Sequence, residues 1–346
     1  MKVAIITDQH FGFKKGSKIW LDYFQKFYDE VFFPTLKKEG IDTILDLGDT
    51  FDNRKGVDLR SLDWAKSNYF DIIRDNGMKM ISIVGNHTAF YKDTNDINTI
   101  DLMLREYDNI RIVEECEEIT VGGLPILFIP WINSENDAKT YQMIKDSKCK
   151  VAMGHLELNG FVATHGHVMD VGADFECYNK FTHVFSGHYH TRSNNGSIYY
   201  LGNPYEMFWN DVNDKRGFHI YDTDTLKLKT INNPYAMFKI IDYANTPRQM
   251  TNFEQYRDKI VKVVVREKDD DKSYDMFMQS LSKANPYDIK VVERTVNMLA
   301  PDEDIAQTED TMTLLNTYID DLSTDLNKSK IKDILRETYQ QACEVL

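Results

Sequence analysis

Five stretches of the chain place metal-binding or proton-moving residues directly after an apolar run. Val3-Ala4-Ile5-Ile6-Thr7 leads into Asp8-Gln9-His10, and residues 41–47 lead into Gly48-Asp49. Residues 80–84 lead into Gly85-Asn86-His87, Val151-Ala152-Met153 into Gly154-His155, and residues 182–186 into Gly187-His188-Tyr189-His190. Asp8, Asp49, Asn86, His10, His155, His188 and His190 together offer carboxylate, amide and imidazole donors. Such a set suits Mn²⁺, Fe²⁺ or Zn²⁺, and the lack of thiolates points away from a structural zinc site. Seven donors exceed what one ion with open positions uses. They suit two ions about 3.5–4 Å apart that share a carboxylate, the arrangement that clamps the attacking and departing oxygens of a phosphoester. Asp49 is the expected bridge, because the preceding glycine permits close approach. Taken singly, Asp8 and Asp49 read equally as helix caps, Asn86 as a turn residue and His155 as packing against Trp131. The fivefold repetition of one strand-then-ligand form argues for a shared site.

The elements that must carry these residues alternate. Strands are expected at 3–7, 41–47, 80–84, 110–113, 119–121, 124–129, 151–153 and 182–186, from short apolar runs bounded by turn residues. Apolar positions at helical spacing predict helices over 19–38, 59–76 and 138–146. Alternation of this kind predicts a layered α/β domain over residues 1–230. No G-x-G-x-x-G follows the first strand and no G-x-x-x-x-G-K-[ST] occurs, so phosphate binding on a helix N-terminus is poorly supported.

Composition sets the bounds. Of 346 residues 42% are hydrophobic and 28% charged, as in a globular chain, and the formal charge of -14 argues against a protein held on DNA mainly by a basic surface. Metal ions that neutralise phosphates locally would escape that objection. Cys116, Cys149, Cys177 and Cys343 show no C-x-x-C spacing, which suggests reduced thiols and a cytoplasmic setting. The first strand begins too early for a signal peptide, and no apolar run approaches a membrane span in length.

In order and type, the five motifs resemble the calcineurin-like metallophosphoesterase superfamily. The detail is similar to the double-strand-break repair nucleases of the SbcCD nuclease-subunit type. Gly48-Asp49-Thr50-Phe51-Asp52 and Gly154-His155-Leu156-Glu157-Leu158-Asn159-Gly160 look closest to the nuclease subunit of the T-even bacteriophage recombination endonuclease. Phe128-Ile129-Pro130-Trp131, Gly202-Asn203-Pro204 and Lys215-Arg216-Gly217-Phe218 extend the resemblance over nearly the whole chain. It implies a two-layer β-sandwich flanked by helices, with two Mn²⁺ ions (Mg²⁺ in their place as an option). One ion would be held by Asp8, His10, Asp49 and His190, the other by Asp49, Asn86, His155 and His188. His87 would face the scissile phosphate as a proton donor or charge stabiliser. The implied activity is exonucleolytic and endonucleolytic DNA cleavage for recombination and repair, in the host cytoplasm for a phage protein. The implied assembly is a homodimer in complex with an SMC-like ATPase. Rival readings are a phosphomonoesterase or cyclic-nucleotide phosphodiesterase with the same metals, and a non-catalytic DNA-end scaffold.

Two departures stand out. Thr88 occupies the place where the family usually has Asp after Gly-Asn-His, and Asp52 the place where cellular members often carry a second phosphate-facing histidine. Asp52 is therefore a substrate-side candidate, with a salt bridge to Arg54 or a turn cap as the structural alternative. His165 and His167 imitate the ligand motif without a convincing strand before them. They are assigned to a substrate-side loop rather than a third metal.

Residues 231–300 read as a small α/β unit, which the resemblance makes a DNA-contacting cap. Within it, residues 260–266 are expected to form a half-buried alternating strand. Residues 301–312 read as an acidic linker; from 301 to the end there are eleven Asp and Glu against four Lys and Arg. Residues 313–346 then carry two amphipathic faces, with Leu315, Ile319 and Leu322 on one and Ile331, Leu335 and Tyr339 on the other. In the family such helices grip the ATPase partner; the alternative is that both pack on their own domain. The resemblance places helices near 21–36 and 59–70 at the dimer interface, where Tyr23, Phe24, Phe27 and Tyr28 form an aromatic helical face suited to an interface core; burial of these rings inside one subunit is the alternative.

Overall fold

The computed structural model of the chain describes residues 1–164, 167–246, 252–268 and 270–293, together with Ile319, Lys328, residues 330–332, Ile334 and Leu335. In chain order the strands of the first half are β1 (Lys2–Ile6), β2 (Thr43–Asp46), β3 (Lys79–Ile83), β4 (Ile110–Val113), β5 (Glu117–Val121), β6 (Leu124–Ile129) and β7 (Val151–Gly154). They are followed by β8 (Val162–Thr164), β9 (His167–Val168), β10 (His183–Ser186), β11 (Ser193–Asn194), β12 (Ile198–Tyr200), β13 (Gly217–Asp222) and β14 (Lys227–Asn232). Last come β15 (Phe238–Asp242), β16 (Ile260–Val265) and β17 (Asp288–Glu293).

Two six-stranded sheets face each other, in the orders β14-β13-β1-β2-β3-β4 and β11-β12-β10-β7-β6-β5. Strand β1 shows why both faces had to be covered. Val3 and Ile5 point into the core between the sheets with Leu45, Ile83, Phe128, Met153 and Phe185. Ala4 and Ile6 point the other way, into a core shared with the helical runs 18–39 and 59–75. A two-residue period with both faces apolar is what a parallel strand buried on both sides requires. On the outside of the second sheet, Leu127, Ile129, Ala152 and Val184 pack with Ile144 of the helix Asp137–Asp146. The layers are therefore helix, sheet, sheet, helix.

Strands β1, β2, β3 and β4 are mutually parallel, as are β6, β7 and β10. Their C-terminal ends gather at one end of the sandwich, where open α/β sheets present ligand sites. The runs β11 and β14 were not legible as strands. β14 is a polar edge strand lying mostly in solvent, and β11 has two residues, so neither shows an apolar period.

The third sheet, β15-β16-β17, is wholly parallel, with the helix Asp271–Lys283 packed on it through Phe277 and Leu281. Strand β16 departs from the expected half-buried alternation: Val261 to Val265 are all buried. Its second face lies against the main body, where the Lys262 ammonium sits 4.3 Å over the Trp209 ring. Glu206 ties this unit down by accepting the backbone N–H groups of Met237 (2.7 Å) and Phe238 (2.9 Å).

The aromatic helical face takes the alternative of burial inside one subunit rather than that of an interface core. Tyr23, Phe24, Phe27 and Tyr28 are all buried within the single chain. Phe24 stacks on Tyr205 at 3.9 Å and Phe27 meets Phe218 edge-on. These rings fill the space between the helical layer and the first sheet, so they are not available to a partner. Aromatic spacing alone does not distinguish a subunit core from an interface core.

Among the described residues, no helix is long and apolar enough to cross a membrane. Residues 301–312, Leu315, Leu322 and Tyr339 lie outside the described residues, whereas Ile319 is helical and buried, and Ile331 and Leu335 are helical and half-buried.

Candidate metal centre

All seven candidate donors, together with His87, lie at the gathered strand ends. Asp8 and His10 follow β1, Asp49 follows β2, Asn86 and His87 follow β3, His155 follows β7, and His188 and His190 follow β10. Asp8 (φ 52°), His10 (φ 49°), Asp49 (φ 52°) and His188 (φ 81°) all occupy the left-handed region. Non-glycine residues there are uncommon and cluster at functional sites, where the surrounding structure must enforce them. The enforcement is visible: Asp8 N–H bonds to the Gly48 carbonyl (3.0 Å) and His10 N–H to the Asp49 carbonyl (2.9 Å). Two glycines are required by close approach. A Cβ at Gly85 would lie 2.2 Å from Asp49 Oδ1, and one at Gly187 2.0 Å from Thr7 Oγ1.

The donors form two groups. Ligand atoms of Asp8, His10 and His190 lie within 4.8 Å of one another, and those of Asp8, Asp49 and His155 do the same, linking the groups. Asn86 Oδ1 stands 2.9 Å from His155 Nε2 and 3.0 Å from His188 Nδ1. The two sheets meet here as well, since the Asp8 carboxylate accepts the His188 backbone N–H at 3.1 Å and the Thr7 hydroxyl at 2.7 Å.

Tautomers test whether this set fits cations. His155 Nδ1 faces the Leu47 carbonyl at 2.7 Å, and a carbonyl can only accept, so Nδ1 carries a proton. The His155 Nε2 lone pair then points at two further acceptors, Asn86 Oδ1 and Asp49 Oδ2 (3.1 Å). His10 Nε2 and His190 Nε2 likewise face each other at 3.1 Å. Electron-pair donors converging on donors need a proton or a cation between them. The residues fit a pair of metal ions.

The electrostatics agree. Burial pushes the Asp49 carboxyl up, yet His155, His87 and His10 outweigh it and hold the group well below the usual range. Burial raises Asp8. His155 is pushed up to about 9, its burial overcome by Asp49 and Asp8, so that without a cation a proton takes the place between Nε2 and its acceptors. Burial and the neighbouring histidines keep His188, down to about 3, and His190 neutral. Neutral imidazole is the ligating form.

Several positioning contacts had no sequence signal. His10 Nδ1 lies 3.1 Å from Asp52 Oδ1, an ion-pair contact that holds the ring beside that carboxylate. Asp52 thus turns toward His10 rather than toward Arg54. His87 Nδ1 donates to the Asp52 carbonyl at 2.7 Å. Thr88 does not orient His87; its hydroxyl bonds back to the Gly85 N–H (2.9 Å) and carbonyl (3.0 Å). The absent family carboxylate is replaced by a backbone carbonyl from another loop.

Asp46 did leave a signal, as a carboxylate inside the apolar run Ile44-Leu45-Asp46-Leu47, where a buried polar residue is informative. It accepts from Gln9 Nε2 (3.1 Å), Thr50 Oγ1 (2.6 Å) and Gly48 N–H (3.2 Å), tying the two carboxylate-bearing loops together. Burial pushes its carboxyl up to about 7 despite those donors.

Arg216 is a second such residue. It is buried and donates to the His190 carbonyl, to Asn203 Oδ1 and to Asp211 Oδ1 (2.7 Å). Arg216→Ala is expected to cost about 3–5 kcal/mol, because Asp211 is left buried without its partner. Urea unfolding measures this; a loss below about 1 kcal/mol would show that solvent replaces the guanidinium.

His165 lies outside the described residues, as does the side chain of His167. The expected loop is instead partly paired: β8 and β9 form an antiparallel ribbon with Val162 opposite Val168. β-Branched residues on both sides favour that pairing.

The family described as Calcineurin-like phosphoesterase matches residues 1–192. Over 99% of the chain and the whole of the relative, the sequence is 28% identical to a protein of Enterobacteria phage T4 named Exonuclease subunit 1. Among solved structures, a novel archaeal phosphodiesterase is similar at TM-score 0.36 and 14% identity, covering 67% of this chain and all of that one. A dimetal phosphatase from Danio rerio is similar at TM-score 0.39 and 10% identity, covering 64% of this chain and 91% of that one. The family match spans more than half of the chain and contains every candidate donor, so the chain belongs to the calcineurin-like phosphoesterases, metal-dependent hydrolases, and its strand-end cluster is a binuclear metal-binding site.

Proposed function

We propose that the chain is a Mn²⁺-dependent DNA nuclease that processes DNA ends for recombination and repair. The observation that carries this is the end-to-end similarity to a protein whose name is Exonuclease subunit 1, joined to the two donor groups. Asp8, His10, Asp49 and His190 would hold one ion, and Asp49, Asn86, His155 and His188 the other; nitrogen and oxygen donors suit Mn²⁺, with Mg²⁺ as a substitute. Such ions supply Lewis acidity that neutralises a phosphate and makes water a usable nucleophile at neutral pH.

The chain's own residues do the rest. Asp52 fixes His10 through its carboxylate and His87 through its carbonyl. With Nδ1 so committed, His87 keeps Nε2 for the substrate, where it donates a proton to the leaving oxygen or steadies charge on phosphate. Asp46 and Arg216 hold the loops that bear Asp8, Asp49 and His190.

The test is hydrolysis of single-stranded DNA by the full chain with Mn²⁺, beside a phosphate monoester. Cleavage of DNA that EDTA abolishes supports the proposal, and turnover of the monoester alone sinks it.

The finer partners belong to the same proposal: a homodimer, and an SMC-like ATPase docked on residues 313–346. That the T4 relative is named a subunit supports an assembly. With the aromatic face spent inside the subunit, the dimer reading keeps Leu59, which is 82% exposed at the start of the second helical run. Leu335→Asp is expected to abolish co-purification with the ATPase while leaving cleavage of single-stranded DNA intact, because it places an unpaired charge on the docking face. Undiminished partner binding would return these helices to packing on their own domain.

A further inference from the structure

Two aromatic rings flank the donor cluster. Trp131 lies beside His188 (centroids 5.3 Å apart) and is half-buried, lining a cavity of about 140 Å³ with Tyr141 and Tyr178. Phe208 lies on the opposite side, 6.3 Å from the His190 ring and within 22° of parallel to it. Phe208 is also 47% exposed, unlike the rings packed around it. Its edge is held by Phe13 at 5.3 Å and an interplanar angle of 83°.

The segment bearing Phe208 is rigid. The Asp211 carboxylate accepts the N–H groups of Met207 (2.7 Å) and Phe208 (2.9 Å), and Asp211 N–H returns to the Phe208 carbonyl (3.0 Å). Arg216, which also holds the His190 carbonyl, clamps Asp211 from behind. One buried guanidinium therefore fixes both the exposed ring and the candidate ligand beside it. Next to Phe13, the exposed Lys14 and Lys15 take left-handed φ values of 52° and 56°, and the Lys14 ammonium lies 5.7 Å from the Phe13 ring centroid.

The geometry points to Phe208 as a stacking platform for an unpaired nucleobase on the His190 side of the scissile phosphate, with Lys14 beside the adjoining backbone. This inference rests on the DNA reading above and adds a subsite to it. A chain of net charge -14 cannot grip a strand by a general basic surface. Base stacking supplies a grip that does not depend on sequence, because every base offers a π-face. A ring locked by hydrogen bonds at the site's rim loses little freedom when a base lands on it.

The experiment uses the full chain with Mn²⁺, an oligothymidylate, and a strand of the same length built from abasic tetrahydrofuran sugars. The unsubstituted chain should prefer the thymidylate in kcat/KM by about 5–100-fold, the range of one base–aromatic stack. Phe208→Ala and Phe208→Leu should reduce that preference to within about twofold of unity, and Phe208→Trp should retain it. Leucine keeps apolar bulk against Phe13, so its result separates lost stacking from lost packing. A preference that survives in both F208A and F208L overturns the platform and leaves the nuclease reading standing. Failure of the unsubstituted chain to cut either strand overturns both.

Discussion

Asp49→Asn is expected to abolish metal binding and phosphodiester hydrolysis together. Asp49 belongs to the second donor group, its ligand atom within 4.8 Å of those of His155 and of Asp8, the residue that links the two groups. Its carboxylate also accepts the His87 backbone N–H at 2.8 Å. An asparagine oxygen can still accept that hydrogen bond, so the loop around His87 should keep its shape. What the substitution removes is negative charge at a fully buried point. The remaining Asp8 cannot offset two divalent cations crowded among imidazoles, because like charges a few ångströms apart repel strongly in a low-dielectric site. The measurement is metal content after equilibration with Mn²⁺, alongside cleavage of single-stranded DNA. An Asp49→Asn chain that keeps two ions and its activity would remove Asp49 from the centre.

His87→Ala should behave differently, leaving metal binding largely intact while lowering kcat by ~10²–10⁴-fold, the range for a positioned proton-transfer group. His87 Nδ1 is occupied by the Asp52 carbonyl, and the side chain belongs to neither of the two linked donor groups. It does share a third cluster with His10 and Asp52, so its ring also packs edge-on against His10 at 4.9 Å. Loss of that packing should weaken the ion held by His10 only modestly, since Asp52 still holds His10 in place. Metal titration and steady-state kinetics on the same preparation separate the two effects. Unchanged kcat would exclude His87 from the chemistry. Complete loss of metal would make it a ligand or its principal support.

That the candidate donors meet at one end was legible because each follows an apolar strand, and a parallel sheet sends such ends to one side. The sandwich followed from the family resemblance rather than from the alternation of elements. Three features had no local signature. The left-handed backbone at Asp8, His10, Asp49 and His188 is imposed by hydrogen bonds from neighbouring loops, which residue type does not encode. The orientation of His87 and His155 comes from the carbonyls of Asp52 and Leu47, and every residue has a carbonyl. The fate of the Tyr23-Phe24 face depended on Tyr205 and Phe218, nearly two hundred positions away. Asp46 could have been found, because a carboxylate within an apolar strand must be satisfied by something. Here it is satisfied by the loops that hold the candidate ligands.

The most direct test is a crystal of the chain equilibrated with Mn²⁺, with anomalous scattering recorded at the metal edge. Two peaks about 3.5–4 Å apart are expected, the spacing of two-metal phosphoesterase centres. One should lie among Asp8, His10 and His190, the other among Asn86, His155 and His188, with Asp49 touching both. A single peak at saturating Mn²⁺, with the Asp49 carboxylate turned away from it, would contradict the two-ion site.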